Sequence, residues 1–349
     1  MGRVSLSTAL ITQYLKRIAR LLLPVILSLL AGTLLILAVG QNPILTYANL
    51  FDAGFSCKAG PGRCALVTAL QFATPLILSG LSATVALRGG FFSIGQVGQM
   101  LFGAAAASWL AGNLHLPPVI HPAIALIGSA LLGGLWGLVP ALLKHYIGVN
   151  EIISTLLLNP IASVLVSLVW LPRVDISARL PPLIQSTKLS VGIFIALAAA
   201  LLVYLFLWQT TRGMEIRANA NAPRFALYGG IPVHKPVFIT MALSGALAGL
   251  AGGVEVLGVH YQFVSNFSAV NDFDGLIIAF SGHLHPVGAV FFAFLLGGLR
   301  TGSIVGLQIR SGIPRELGGA LIAFMLIFLA ADRFFSMNER SKSGQIPEY

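Results

Sequence analysis

The feature that most constrains this chain is a succession of apolar runs, each near the length of a membrane crossing and almost empty of charge. Only 9% of its 349 residues are Asp, Glu, Lys or Arg, and 56% are hydrophobic; soluble domains carry roughly a quarter charged residues. A helix needs about 20 apolar residues to cross the hydrocarbon core. Inside that core every backbone polar group must be bonded within the structure, which leaves helices or closed barrels. Runs at 21–40, 64–87, 98–112, 123–143, 152–171, 190–208, 237–259, 270–281, 286–308 and 316–332 predict an all-α polytopic membrane protein of about ten spans. The run at 98–112 is short. The run at 270–281 is too short to cross alone, and as a half-helix turning back it would move the later loops to the other side. No room remains for a sizeable soluble domain. Residues 1–349 read as one transmembrane domain, with a first half at 21–208, a polar loop at 209–236, a second half at 237–332 and a polar tail at 333–349.

The net charge of +10 raises nucleic acid as a partner, but the placement of the charge argues against it. Lys and Arg are scattered between apolar runs, as determinants of topology are. With ten crossings, most of the 21 basic residues fall on the side of the N-terminus, while Arg300, Arg310 and Arg315 fall on the outer side. That bias predicts a cytoplasmic N-terminus. Lys16, Arg17 and Arg20 precede the run from Leu21 to Val39, which is too long for a signal-peptide core and reads as a retained first span. The 38 glycines suit close helix packing in lipid. Cys57 and Cys64 are the only cysteines. On the oxidising side they would form a small disulfide, and otherwise they are two free thiols. With no His nearby they make a poor metal site, and no metal is expected.

The longest polar stretch between two apolar runs is Thr210 to Val233, with Arg212, Arg217 and Arg224 against the single acid Glu215. Such a basic loop belongs in the cytoplasm. Ala218 to Leu227 predicts one short amphipathic helix ended by Gly229 and Gly230. Held there by two spans, it would pass force to a soluble partner; the plainer reading is a solvated basic loop.

Ionisable and amide side chains inside apolar runs are costly, so each is a candidate site. Glu255 lies deep in its run, and Glu151 opens another, with Ser154, Thr155 and Asn159 on the same helix face. Gln96 and Gln99 share a face at the start of the third span. Carboxamides and carboxylates along a path suit a neutral polar solute, since they offer donors and acceptors together. The structural alternatives are a helix cap for Glu151, interhelical hydrogen bonds for Asn159 and the glutamines, and a backbone donor or Tyr261 as partner for Glu255. Asp272 and Asp274, at the mouth of a short segment, read as solvated or capping. Ala86, Gly89 and Gly95 recur in spacing as Ala279, Gly282 and Gly288, a candidate internal repeat of the kind transporters carry. No phosphate-binding loop and no metal or nucleophile set is present, so the chain reads as no enzyme, and ATP-driven transport would need a separate ATPase. The alternative is a self-contained secondary transporter whose Glu255 or Glu151 carries protons.

Five blocks in order resemble one family. Leu87 to Ala104 is LRGGFFSIGQVGQMLFGA, and Gly148 to Ala162 is GVNEIISTLLLNPIA. Ala218 to Phe225 is ANANAPRF, closed by Gly230 and Ile231, and Ser244 to Val259 and Asp272 to Val290 complete the set. These resemble the permease subunits of bacterial ABC transporters for nucleosides and simple sugars, nearest the guanosine and purine nucleoside branch. Ala218, Pro223 and Val97 depart from the family pattern, where Gly, Ala and Glu are common. The resemblance implies a type II-like importer permease in the bacterial inner membrane, working by alternating access. It implies as partners a cytoplasmic ATP-binding subunit that holds ATP and Mg, an extracytoplasmic solute-binding protein, and a second permease that is a paralogue or a second copy. This chain itself would hold no cofactor. The coupling loop would comprise Arg217, Asn219, Asn221, Ala222, Arg224, Phe225, Gly230 and Ile231. The substrate path would draw on Gln96, Gln99, Glu151, Asn159 and Glu255.

Overall fold

A computed structural model describes residues 26–27, 29–57, 64–185, 187–231, 234–265, 273–314 and 319–320. Within them the chain is helical, and its only β pairing is an isolated bridge between Pro182 and Ser190. Twelve helices follow in order: α1 Leu29–Ala38, α2 Pro43–Phe55, α3 Ala65–Arg88, α4 Gln96–Asn113, α5 Ile120–Ile147, α6 Glu151–Ser167, α7 Gly192–Gln209, α8 Thr211–Asn221, α9 Pro223–Tyr228, α10 His234–Glu255, α11 Asp274–Ser281 and α12 Pro286–Gly302. Among the described residues five helical segments are long and apolar enough to cross a membrane, and the bent pair α1–α2, meeting at 114°, brings this to six. α6 is apolar and shorter. The predicted run at 316–332 lies outside the described residues apart from Gly319 and Ala320.

The chain divides into two compact units, residues 1–54 with 302–349 and residues 55–301. In the first, Gly302 and Gly306 receive the backbone of Leu50 and Asn49. Arg310 pairs with Asp52 at 2.9 Å, and Asn49 Nδ2 donates to Ser311 Oγ at 3.1 Å.

The second unit is organised around α10, packed by α3, α4 and α5. The reason is a stripe of small residues every fourth position, which falls on one helix face. Ser129, Gly133 and Gly137 of α5 meet Gly245, Gly249 and Gly253 of α10 so closely that backbones touch. A Cβ on Gly133 would stand 2.5 Å from the Gly245 carbonyl oxygen and 2.6 Å from Gly249 Cα. Lipid is as apolar as Leu, so this association comes from close packing. The outward faces carry the residues lipid tolerates, among them Leu131 and Leu135 on α5 and Leu201 and Leu202 on α7.

Helix ends follow their capping residues. Asn150 accepts from Ile152 N–H at 2.9 Å and opens α6, and Thr210 accepts from Gly213 N–H at 3.0 Å and opens α8. One expectation is corrected: Ala218 to Leu227 is not one helix. α8 stops at Asn221, Ala222 leaves the helical region with φ −150° and ψ 76°, and α9 restarts at Pro223, because a proline forces its predecessor out of the helical region and brings no N–H. α9 does end at the predicted glycines: Gly230 has φ +78°, and the N–H groups of Gly230 and Ile231 return to Leu227 and Ala226, as a left-handed cap requires. Within the described part of 270–281, α11 has eight residues and is about 12 Å long at 1.5 Å per residue, too short to cross alone, as expected. α11 runs beside α3, Gly275 against Ser79 and Ile278 against Gly80.

The two ends of the candidate repeat stand side by side. Gly89 closes α3 and Gly282 closes α11, and Phe92 packs on Phe280 at 6.1 Å. Cys57 and Cys64 form a disulfide between α2 and α3, so the paired alternative holds. In the segment before α7, Asp175 Oδ1 accepts from both the N–H and the hydroxyl of Ser177 at 2.8 Å, fixing a short 3-10 turn at Ile176–Ala178.

Candidate functional site

The polar residues singled out from sequence fall into separate places. Thr155 and Asn159, one turn apart on α6, act together on the approach to α4. Thr155 Oγ1 accepts from Ile94 N–H at 3.1 Å. Asn159 Oδ1 accepts from Gly98 N–H at 2.9 Å, and its Nδ2 donates to the Ile94 carbonyl at 3.0 Å. Gly98 is the third residue of α4, so its N–H has no acceptor within its own helix. A neighbouring helix thus supplies the cap. Ser154 turns its hydroxyl to the Glu151 carbonyl at 3.2 Å.

Gln96 and Gln99, both 1% exposed, line the first turn of α4. Gln96 Nε2 donates to the Ser93 carbonyl at 3.0 Å. The Oε1 atoms of both are buried with no hydrogen-bond partner. An unpaired buried acceptor costs free energy comparable to a lost hydrogen bond.

Glu151 is drawn aside: its carboxylate meets Lys144 Nζ at 2.8 Å, bridging the end of α5 and the first turn of α6. Glu255 is 3% exposed, and its Oε2 lies 3.2 Å from His260 Nε2. Tyr261, one of the two structural partners considered for Glu255, lies under the Arg179 guanidinium at 4.6 Å. The spacing of five escapes a search for residues three or four apart. It arises because Val256–His260 is wound as a π turn, a feature frequent at functional sites.

Asp274 corrects the expectation of a solvated or capping residue. It is 4% exposed and pairs with Arg300, which the loop count had placed outside but which lies within α12. Asp272 lies outside the described residues. The pairing was invisible to hydropathy, because the two partners are 26 residues apart.

The basic segment forms a layer of its own. Gly213, Ile216 and Asn219 are buried, turning one face of α8 inward, and Gly90 approaches Ala220. Arg212 pairs with Glu215 at 3.3 Å. On α9 Ala226 is buried while Leu227 and Tyr228 project outward, the latter 90% exposed. The side chains of Arg224 and Phe225 lie outside the described residues. Arg217 lies with its guanidinium carbon 5.5 Å from the Trp208 ring centroid, a contact that nothing in the local spacing announced.

Residues 65–330 match the family model described as the branched-chain amino acid transport system / permease component. The chain belongs to this permease family. It is 36% identical over 350 aligned residues to the guanosine ABC transporter permease protein NupP of Bacillus subtilis (strain 168), covering 94% of this chain and 99% of that relative. It is 30% identical to the nucleoside ABC transporter permease protein NupB of Lactococcus lactis subsp. cremoris (strain MG1363), over 88% of this chain and 89% of the relative. It is also 30% identical to the glucose ABC transporter permease protein TsgB13 of Haloferax volcanii, over 90% and 87%. No solved structure matches. As a member of the permease family the chain is a multi-pass membrane subunit of an ABC transporter and no enzyme, and ATP hydrolysis belongs to a separate subunit. Membership implies ATPase and solute-binding partners. It replaces the self-contained proton carrier as the reading of Glu151 and Glu255.

Proposed function

We propose that this permease carries nucleosides inward across the bacterial cytoplasmic membrane, with simple sugars as the neighbouring solute class. The observation that carries this is the full-length likeness to a guanosine permease at 36% identity. Ten crossings and a type II-like arrangement complete the proposal. The Cys57–Cys64 bridge supports the orientation: disulfides persist on the oxidising side, and five crossings from there, α3 to α7, bring α8 and α9 to the cytoplasm and leave the N-terminus there too. ATP and Mg are then held by a cytoplasmic subunit docked on the outward face of α8 and α9, where Met214, Leu227 and Tyr228 are exposed within a basic segment. Arg217, Asn219, Asn221, Ala222, Arg224, Phe225, Gly230 and Ile231 build or frame that docking layer. A second permease, a paralogue or another copy, completes the pathway.

Of the sequence candidates, Gln96, Gln99 and Glu255 fit the solute path best, since the glutamine oxygens are buried with acceptor capacity unused. Asn159 and Glu151 support that wall from behind. The test is ATP hydrolysis by the reconstituted complex with its ATPase and binding protein, on adding guanosine, adenosine, uridine or ribose. Stimulation by nucleosides and not by ribose is expected. Stimulation by ribose alone would move the solute to the sugar class, and failure of any ATPase to associate would overturn the assignment of α8 and α9.

A further inference from the structure

Four elements meet on one side chain at the inner end of the bundle. Trp208 is the next-to-last residue of α7. The guanidinium carbon of Arg88, at the end of α3, lies 5.3 Å from its ring centroid, and that of Arg217, on α8, lies 5.5 Å away. The His285 ring, just before α12, is 4.9 Å away, and Tyr204, one turn back on α7, stacks on the indole at 5.7 Å. Trp gives the strongest attraction for a cation over an aromatic face. Two guanidiniums gathered around one ring repel each other, and the attraction of each to the indole face offsets part of that repulsion.

Each contact leads onward. Arg88 Nε donates to the Leu284 carbonyl at 2.8 Å and its Nη2 to the His283 carbonyl at 3.3 Å. Those two residues form the turn between α11 and α12, and both are left-handed, with φ +57° at His283 and +52° at Leu284. Left-handed backbone is unfavourable for a bulky residue such as Leu and persists only where the surroundings hold it; Arg88 is part of that hold. His285 Nδ1 accepts from Val287 N–H at 3.3 Å and caps α12. Beyond the turn, α11 begins at the buried Asp274. Toward the cytoplasm, Arg217 Nε donates to the Gly213 carbonyl at 3.4 Å, within the buried face of α8.

We infer that Trp208 is the joint through which a displacement of α8 reaches the strained α11–α12 turn and the end of α3. It is a positioning residue that ties movement of the solute path to the ATP-binding subunit, and it touches neither solute nor nucleotide. The inference rests on the coupling role proposed for α8. Without the indole, α8 moves while the turn stays behind.

The test compares Trp208→Leu and Trp208→Phe in the tagged chain, purified from its own host with the ATPase that accompanies it and reconstituted with its binding protein. The reading is labelled guanosine taken up per ATP hydrolysed. Leu fills space without a π face, whereas Phe keeps one. W208L is expected to keep its bound ATPase and its hydrolysis while uptake per ATP falls about fivefold or more, the lower end of ordinary coupling between sites. W208F is expected to stay within about twofold of the unaltered chain, since its ring still holds a cation. Unchanged uptake per ATP in W208L would overturn the inference. So would equal loss in both variants with loss of folded chain or of bound ATPase, which marks a merely structural role. If the unaltered chain carries no ATPase or moves no guanosine, the proposed function fails instead, and that control separates the two.

Discussion

Replacing Asn159 by Ala separates a wall that holds helices from a wall that reads solute. In the structure the carboxamide is occupied on both sides, accepting from Gly98 N–H at 2.9 Å and donating to the Ile94 carbonyl at 3.0 Å, and the residue is 5% exposed. Alanine removes both partners at once. An unsatisfied buried group costs about 1–3 kcal/mol in soluble proteins, but interhelical bonds in membrane proteins average about 0.6 kcal/mol with a maximum near about 1.7. Two bonds therefore give a loss of about 1–3 kcal/mol, the upper part of the range belonging to Gly98, whose N–H has no acceptor in its own helix. The assay is equilibrium unfolding of the purified chain in mixed micelles titrated with dodecyl sulfate. N159A should unfold at lower denaturant, with the apparent affinity for guanosine in the assembled transporter unchanged. Wild-type stability together with a weakened guanosine response would refute the reasoning and return Asn159 to the solute path.

Three further outcomes are expected. Arg300→Met strands Asp274 without its buried guanidinium, which costs about 3–5 kcal/mol; the double change with Asp274→Asn should recover most of the folded yield, and no recovery would mean the pair does not act as a unit. Gly249→Val drives side-chain atoms into the backbone of α5, whose Gly133 Cα stands 2.9 Å from the Cβ position. Size-exclusion of detergent extracts should then show no folded chain, whereas Leu131→Ala on the outward face stays within about 0.5 kcal/mol of the original. The N–H of Ser177, and then its hydroxyl, hold the Asp175 carboxyl below its usual value of 3.8. A depressed folded pKa contributes stability above the unfolded pKa and loses it as pH falls through the folded one. Hydrogen exchange at Ser177 should therefore stay slow from neutral pH down to the ordinary carboxylate range, rise only below it, and be fast throughout in Asp175→Asn. An onset near pH 6 would assign the protection to another group.

Much of the fold was legible because lipid imposes a simple rule. A run such as Ala65–Arg88 has no structure but a helix available in hydrocarbon, and its predicted bounds of 64–87 differ from the observed helix by one residue at each end. The glycines of α5 and α10 announced close packing, but not which helix met which. Inside the polar segment, Pro223 was in plain view and its break at Ala222 follows from local sterics, yet the richness in Ala and Asn favoured one continuous helix. The site was less readable. Glu255 stood out as an ionisable residue in an apolar run, while His260 did not, because a partner five positions on shares a face only if the helix is locally wound as a π turn. Arg300 was assigned to the outer side although it lies inside the apolar run 286–308, because a count of charges by side cannot see a buried partner; its pairing with Asp274 lets it lie buried in α12.

The sequence by itself determined a membrane-spanning helical chain, since solvent alone forces that: water rejects the apolar runs and lipid rejects open backbone. Tertiary structure decided what each polar side chain is for. Asn159 caps a neighbouring helix, Glu151 leans on Lys144, and Trp208 gathers Arg88, Arg217 and His285 from three other places in the chain. Those roles depend on distances of about 3–6 Å between residues on different helices, and such distances are set by how the helices pack.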